Sequence, residues 1–377
     1  MKRFLLQALA LAAGLTGAPA MAQDMSMPAT GAPKGQMAQG AHGAIGGHGD
    51  MHGPAGVMGN HLARQGKFMM SYRFGAMSMS DNRIGTREVS SDTIATTIPN
   101  VFFGAPGQPP ILRVVPQEMT MQMHMLGLMY GATDRLSLMA MLPYVEKSMT
   151  SLTYAGPSGT ATLGTSKMRA GGLGDIRIGA TYGLKPTGAS RVLLSMSLSL
   201  PTGSITESGT MLSPMGTPMT MRMAYPMQLG SGTYDLMPAL AYRSGAGRVN
   251  WGGQLRGIIR LGSNDEGYSL GDEIALSAWA SYKPGAAVSW WGRIEAARLG
   301  RIDGRDPQIR GAMQGANPAF HGGDTVTLTA GVDYTMQTGP LKGHKLGADI
   351  GVPIYQDLNG PRLGTDWVLG VGWRRMF

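Results

Sequence analysis

Methionine is the most distinctive chemical feature of this sequence. It occurs 31 times in 377 residues, and much of it falls on alternate positions. Met119, Met121, Met123, Met125 and Met129 share one parity, Met139 and Met141 share another run, and Met69, Met77 and Met79 a third. Thioethers are soft, uncharged ligands that select Cu(I). They are also polarizable, unbranched chains that adapt to varied apolar ligands. His124 sits within the first run, so Met121, Met123, His124 and Met125 are candidate ligands for a soft ion. His42, His48, His52 and His61 form a second candidate group among Met37, Met51 and Met58. Imidazole suits Cu or Zn, yet the spacings of six, four and nine match no tight motif. With no Cys in the chain, thiolate metal sites and Cys nucleophiles are excluded. No resident cofactor is called for, and copper is the metal these residues suit best. An enzyme would need a framed nucleophile. His124 beside Ser137 is the conceivable pair, but nothing like G-x-S-x-G surrounds the serine, and the chain reads as a non-enzyme.

The elements that carry these side chains follow from their period. A spacing of two belongs to a strand, whose successive side chains point to opposite faces. Val326, Leu328, Ala330, Val332 and Tyr334 alternate with Thr325, Thr327, Thr329, Gly331 and Asp333. The same rhythm runs through 176–184, 191–200, 250–260 and 345–354. Segments of about ten residues with this pattern are the mark of transmembrane strands. The alternation predicts about twelve strands (roughly ten to fourteen), near 66–80, 119–131, 134–147, 173–185, 190–202, 231–244, 248–262, 269–284, 287–302, 322–337, 344–356 and 363–377. Short connections (132–134, 185–189, 245–247, 284–286, 337–343) alternate with longer ones (81–118, 148–172, 203–230, 303–321). A soluble sandwich also alternates apolar and polar residues, but it has no reason to keep this short–long order. The expected fold is therefore all-β: an antiparallel transmembrane β-barrel in the outer membrane, with both termini in the periplasm.

Composition agrees. Gly is abundant at 58 residues and charge is low at 15%, which suits a wall with one apolar face rather than a soluble enzyme. The net charge of +9 is spread along the strands without a Lys/Arg block, so nucleic acid is not an expected partner. Lys2 and Arg3, the apolar run Phe4–Leu15 and Ala20-Met21-Ala22 read as a signal peptide over 1–22. That run is too short to span a bilayer as a helix, which takes about 20 residues. Residues 23–62 are rich in Met, His and Gly without a period and read as a flexible periplasmic segment; the barrel occupies 63–377. Tyr182, Tyr242, Tyr282, Trp290 and Trp373 lie near strand ends in the apolar register, where an interfacial girdle would be. Phe377 ends an alternating strand (Trp367, Leu369, Val371, Trp373) and resembles the signal read by the barrel assembly machinery. Arg375 interrupts its apolar face.

The polar registers supply candidate lumen residues: Arg73, Asp175, Arg177, Arg191, Asp235, Arg243, Arg256, Arg260, Arg293, Glu295, Asp333 and Asp349, joined by Lys345 and Arg374. They suit either a charge network that stiffens the interior or a polar channel. The strand 119–131 allows two orientations. With Met outward, Thr120, Gln122 and His124 line the lumen. With Met inward, Gln122 and His124 face lipid, which is costly near mid-membrane; that cost favours a lipid-facing or structural stripe.

Four stretches resemble one family: Gly56-Val57-Met58-Gly59 running on to Met69-Met70-Ser71-Tyr72-Arg73; Met121 to Tyr130 followed by Asp134, Leu136, Met139, Met141, Pro143 and Tyr144; Gly172-Leu173-Gly174-Asp175; and Gln228 to Thr233. Together they resemble the outer-membrane proteins of the meta-pathway phenol-degradation family, in a Met-rich transporter-like branch. The resemblance covers most of the chain from residue 56. It implies a barrel that passes small hydrophobic or aromatic solutes, and it brings no catalytic residues. Outer-membrane lipid, the assembly machinery and such solutes are the expected partners. A copper-handling envelope barrel is the alternative.

Overall fold

The computed structural model describes residues 61–184 and 190–377. The signal peptide, His42, His48, His52 and the rest of the chain before His61 lie outside the described residues, as does the turn 185–189.

The chain begins with a long strand, β1 (Phe68–Gly85), then a short β2 (Arg87–Glu88) and helix α1 (Ser91–Thr97). β3 (Val114–Gly131), β4 (Leu136–Tyr154), β5 (Thr162–Leu173), β6 (Arg177–Gly183) and β7 (Arg191–Ser199) follow. A small hairpin, β8 (Ser208–Leu212) and β9 (Pro218–Arg222), precedes β10 (Tyr234–Ala246) and β11 (Val249–Leu261). After β12 (Tyr268–Ser269) come β13 (Glu273–Tyr282), β14 (Val288–Leu299), β15 (Asp303–Gly304), β16 (Gly323–Thr335) and β17 (Lys345–Met376).

Each barrel strand pairs antiparallel with the next, and β17 returns to pair with β1, so the sheet closes. The wall has 11 strand elements, against about twelve expected from the alternation. The difference lies in β17, a single element of 32 residues. Its residues 345–358 pair with β16 and 358–376 with β1, which are the two predicted strands 344–356 and 363–377. Between them Gly360 has φ +101°, a conformation open to glycine, and Phe320 packs where a Cβ would stand. The pleat therefore continues through the reversal.

The two faces are inverted relative to a soluble protein. Leu126, Leu128, Leu138, Leu142, Ile178, Leu194, Leu240, Leu255, Leu328 and Ile350 are exposed on the outside, while Thr181, Ser195, Ser197, Gln254, Ser277 and Thr329 are buried inside. An apolar exterior around a polar interior is what a strand wall in lipid requires. At the rim with the short turns, Phe68, Tyr130, Tyr182, Tyr242, Tyr282, Trp290, Tyr334 and Phe377 form an exposed aromatic ring. Arg375 stands in this ring with its guanidinium over the Phe377 ring (4.8 Å) and against His344 (2.7 Å). The break in the apolar face thus falls at the interface, where an Arg can reach water.

At the opposite rim β4 extends to Tyr154 and β5 fills much of the predicted loop 148–172. The connections fold inward over this end. Met211, Met223, Tyr225, Met227, Tyr268, Ile302, Ile309, Met313 and Ala316 pack on Met119, Met149 and Met168 as one core. Beside them Arg113, fully buried, donates to the carbonyls of Ala95, Gly159, Ala155 and Ser158 and stacks over the Tyr154 ring.

Candidate functional site

The methionine stripe faces the lumen. Met119, Met125 and Met129 are buried, and Leu126, Leu128 and Tyr130 between them are exposed. Directly opposite residues of an antiparallel pair share a face, so the register turns the stripe into rows. Met69 of β1 stands opposite Met129 of β3, which stands opposite Met139 of β4. Nearer the capped rim, Met79 faces Met119, Met119 faces Met149, and Met149 faces Met168 of β5. The first row lines the lumen at the turn rim and the second is the floor of the cap. For strand 119–131 this corrects the lipid-facing expectation, while Met119, Met149 and Met168 pack as part of the cap core.

His124 does face outward, where it stands opposite Tyr144 and Phe74. There its Nδ1 is hydrogen-bonded to the Tyr72 hydroxyl at 2.8 Å. Gln122 lies further up, beside Glu146. The Tyr72 hydroxyl thus satisfies the His124 ring nitrogen, which offsets part of the cost that disfavoured this orientation. His124 and Met121, Met123 and Met125 consequently occupy opposite faces and do not converge on one ion. Ser137 points inward, where its Oγ accepts from the Ala63 amide at 2.9 Å, so it and His124 make no catalytic pair. Among the described residues no cluster of His, Asp or Glu is arranged to hold a metal.

The wall facing the methionines is charged. Arg73 forms a two-pronged ion pair with Asp349, both contacts 2.9 Å. Arg256 bridges Glu273 at 2.5 Å and Glu295 at 3.2 Å, and Arg260 pairs with Asp235. Asp235 also accepts from Ser231 and Thr233. Arg243 stands directly opposite Arg191 on neighbouring strands. Arg293 and Glu295 lie on β14, opposite Thr329 and Thr327; Asp333 lines the lower cavity with Lys345 and Arg374. Among these residues, guanidinium groups outnumber carboxylates.

Asp175 differs from the other candidates. Its carboxylate accepts from the Gly203 amide at 2.9 Å and from the amide and hydroxyl of Ser231 at 2.7 and 3.0 Å. It joins the Gly172–Asp175 motif to the Gln228–Thr233 motif and so fixes the cap to the wall. Within that cap His321 packs edge-on against Tyr225 at 5.5 Å. Burial and the neighbouring Arg362 guanidinium push its imidazole down to about 3.

Two cavities open between the walls. One, about 90 Å³, lies at the turn rim among Met69, Met125, Met129, Met139 and Arg73, with His61 at its edge. Residues 61–67 fold into this mouth: Ala63 is buried against Met69 and Met129, and Gly131 leaves room for the Arg64 carbonyl. The other, about 290 Å³, is framed by Met139, Met141, Met237, Pro238, Arg177 and Arg256. The candidates from sequence omitted Met237 and two indoles. Trp279 and Trp291 are buried inward, flat against Gly252 and Gly331 on adjacent strands. Both tryptophans share the polar parity of their strands, a signal present in the sequence.

Comparison with known proteins adds a fold relative. An outer-membrane channel from Pseudomonas putida F1 matches with a TM-score of 0.52 and 14% identity, over 83% of this chain and 96% of that one. The toluene transporter TbuX of Ralstonia pickettii overlaps at TM-score 0.44 and 13% identity, over 83% of this chain and 90% of its own. The P. putida toluene transporter TodX overlaps at 0.41 and 11%, over 84% and 91%. No family model and no curated protein matches the sequence. At these identities the likeness is one of fold: the closed β-barrel of the first of these structures.

Proposed function

We propose that this chain is an outer-membrane channel of a Gram-negative bacterium through which small hydrophobic or aromatic molecules pass passively. The observation that carries the reading is the thioether face of β3 and β4, turned into the lumen from the cap to the turn rim. The methionines of β3, broken at Gly127 and joined by Met139 and Met141 of β4, offer sliding apolar contact without selecting one shape. The guanidinium–carboxylate wall opposite keeps the bore polar. Such an amphipathic passage has no role in a barrel that only fills space. The P. putida F1 relative is named as an outer-membrane channel, and the Met-rich motifs resemble the meta-pathway phenol-degradation family, which supports aromatic solutes in particular. In this reading the signal peptide directs export, and the rim where β1 starts and β17 ends is periplasmic.

Uptake of radiolabelled toluene by intact cells tests this, comparing a deletion strain with one expressing the full chain. Faster uptake on expression is expected, with Met139→Lys/Met141→Lys lowering it toward the deletion level. Uptake that does not change on expression of a folded, outer-membrane-located chain overturns the reading.

A further inference from the structure

We propose that the cavity between Met139, Met141 and Arg177 binds small aromatic carboxylates, so that the channel accepts amphipathic monoanions. The proposal rests on the channel reading above and names a substrate class for it. The geometry places a thioether and a guanidinium side by side: Met141 of β4 stands directly opposite Arg177 of β6, and Met139 opposite Gly179. Met237 and Pro238 close the space from β10, and the volume of about 290 Å³ lies at the small end of ligand-binding cavities, which run from roughly 300 to 1,000 Å³.

Arg177 is the group that asks for a ligand. Among the described residues no hydrogen bond or ion pair satisfies its guanidinium, and its Nε is shielded from solvent without a partner. The carboxylates around it are already engaged. Asp235 is held by Arg260, Ser231 and Thr233, Asp175 by Gly203 and Ser231, and Glu273 and Glu295 by Arg256. A shielded Nε–H without an acceptor is costly, and a carboxylate taken by the guanidinium fork supplies one. The planar fork suits a carboxylate better than a point charge does. The other half of the ligand is set by the opposite wall. Methionine sulfur makes favourable contacts with aromatic rings, and Met139, Met141, Met237 and Pro238 give a ring an apolar wall within the lining. A ring bearing one carboxylate meets both walls at once.

Benzoate is the probe, with benzamide as its neutral counterpart of the same shape. Binding to the purified full-length protein in detergent is followed by the fluorescence of the lumenal tryptophans or by calorimetry. Saturable benzoate binding is expected, weakened at least about tenfold in Arg177→Gln and for benzamide, in line with the loss of one partner of a shielded charge pair. Arg177→Lys, which keeps the charge but not the fork, is expected to fall between. Each variant is first checked for the heat-modifiable mobility of a folded barrel. Equal benzoate affinity in wild type and a folded Arg177→Gln, or equal affinity for benzamide and benzoate, overturns the proposal. If toluene uptake persists while benzoate does not bind, the carboxylate site is wrong and the channel stands. If toluene uptake is also absent, the channel reading itself has failed.

Discussion

His321 shows how a single residue couples the cap to acidity. Its imidazole sits against Tyr225 with Arg362 nearby, and its pKa falls from 6.5 to about 3. The unfolded cap binds a proton below 6.5 that the folded cap refuses, so stability rises with pH across that window. The contribution is fully present above 6.5 and is lost progressively as pH falls toward 3. Thermal unfolding of the cap, followed from about pH 7 to about pH 4, is expected to shift to lower temperature, and His321→Gln is expected to flatten the dependence. An unchanged slope in that variant contradicts the assignment. At this scale the sequence was only partly legible. Parity put Arg73, Asp235, Arg256 and Asp349 among the lumen candidates, and Asp235 and Asp349 are buried in ion pairs with Arg260 and Arg73. The ion pairs between them depend on which strands become neighbours, as with Arg73 and Asp349, 276 positions apart. His124 misled because parity gives the face of a residue and not its hydrogen-bond partner, here the Tyr72 hydroxyl on the neighbouring strand.

Among the elements, the strands inside the membrane were the readable ones. One face meets lipid and the other water, and that contrast writes the alternation over β7, β11, β16 and both arms of β17. Above the belt the contrast fades. β5 and the upper part of β4 have water outside and the cap inside, and with Thr162, Gly164, Thr165 and Ser166 the former looks like a loop. The hairpin of β8 and β9 was unreadable for the same reason, although Met211 on it and Met223 just beyond it are buried core. These two methionines join Met227 and Met313 over the lumen floor at Met119 and Met149. Removing residues 208–222 and rejoining the chain with a short Gly/Ser linker is therefore expected to unseal that end. Single-channel conductance in planar bilayers is expected to rise severalfold over the full chain while the folded barrel survives. A conductance equal to that of the full chain shows that the hairpin does not obstruct the bore.

For the whole molecule, what matters is that one closed sheet carries three surfaces. The outside is apolar and ringed by aromatics, one inner wall is thioether, and the other is guanidinium and hydroxyl. Cross-strand register creates the inner asymmetry by setting β1, β3, β4 and β5 next to each other, so methionines far apart in sequence become rows. Hydrophobic solutes are expected to travel along that inner thioether wall. The chain has no Cys, so a single cysteine reports cleanly. Met141→Cys, on the lumen face, and Leu142→Cys, on the exposed outer face, are compared in intact cells for their rate of reaction with a water-soluble methanethiosulfonate, with and without toluene. The account predicts that Cys at 141 reacts, that toluene slows it severalfold, and that Cys at 142 stays unreactive in lipid. Reaction at 142 but not at 141, or a rate at 141 that toluene leaves untouched, would contradict it.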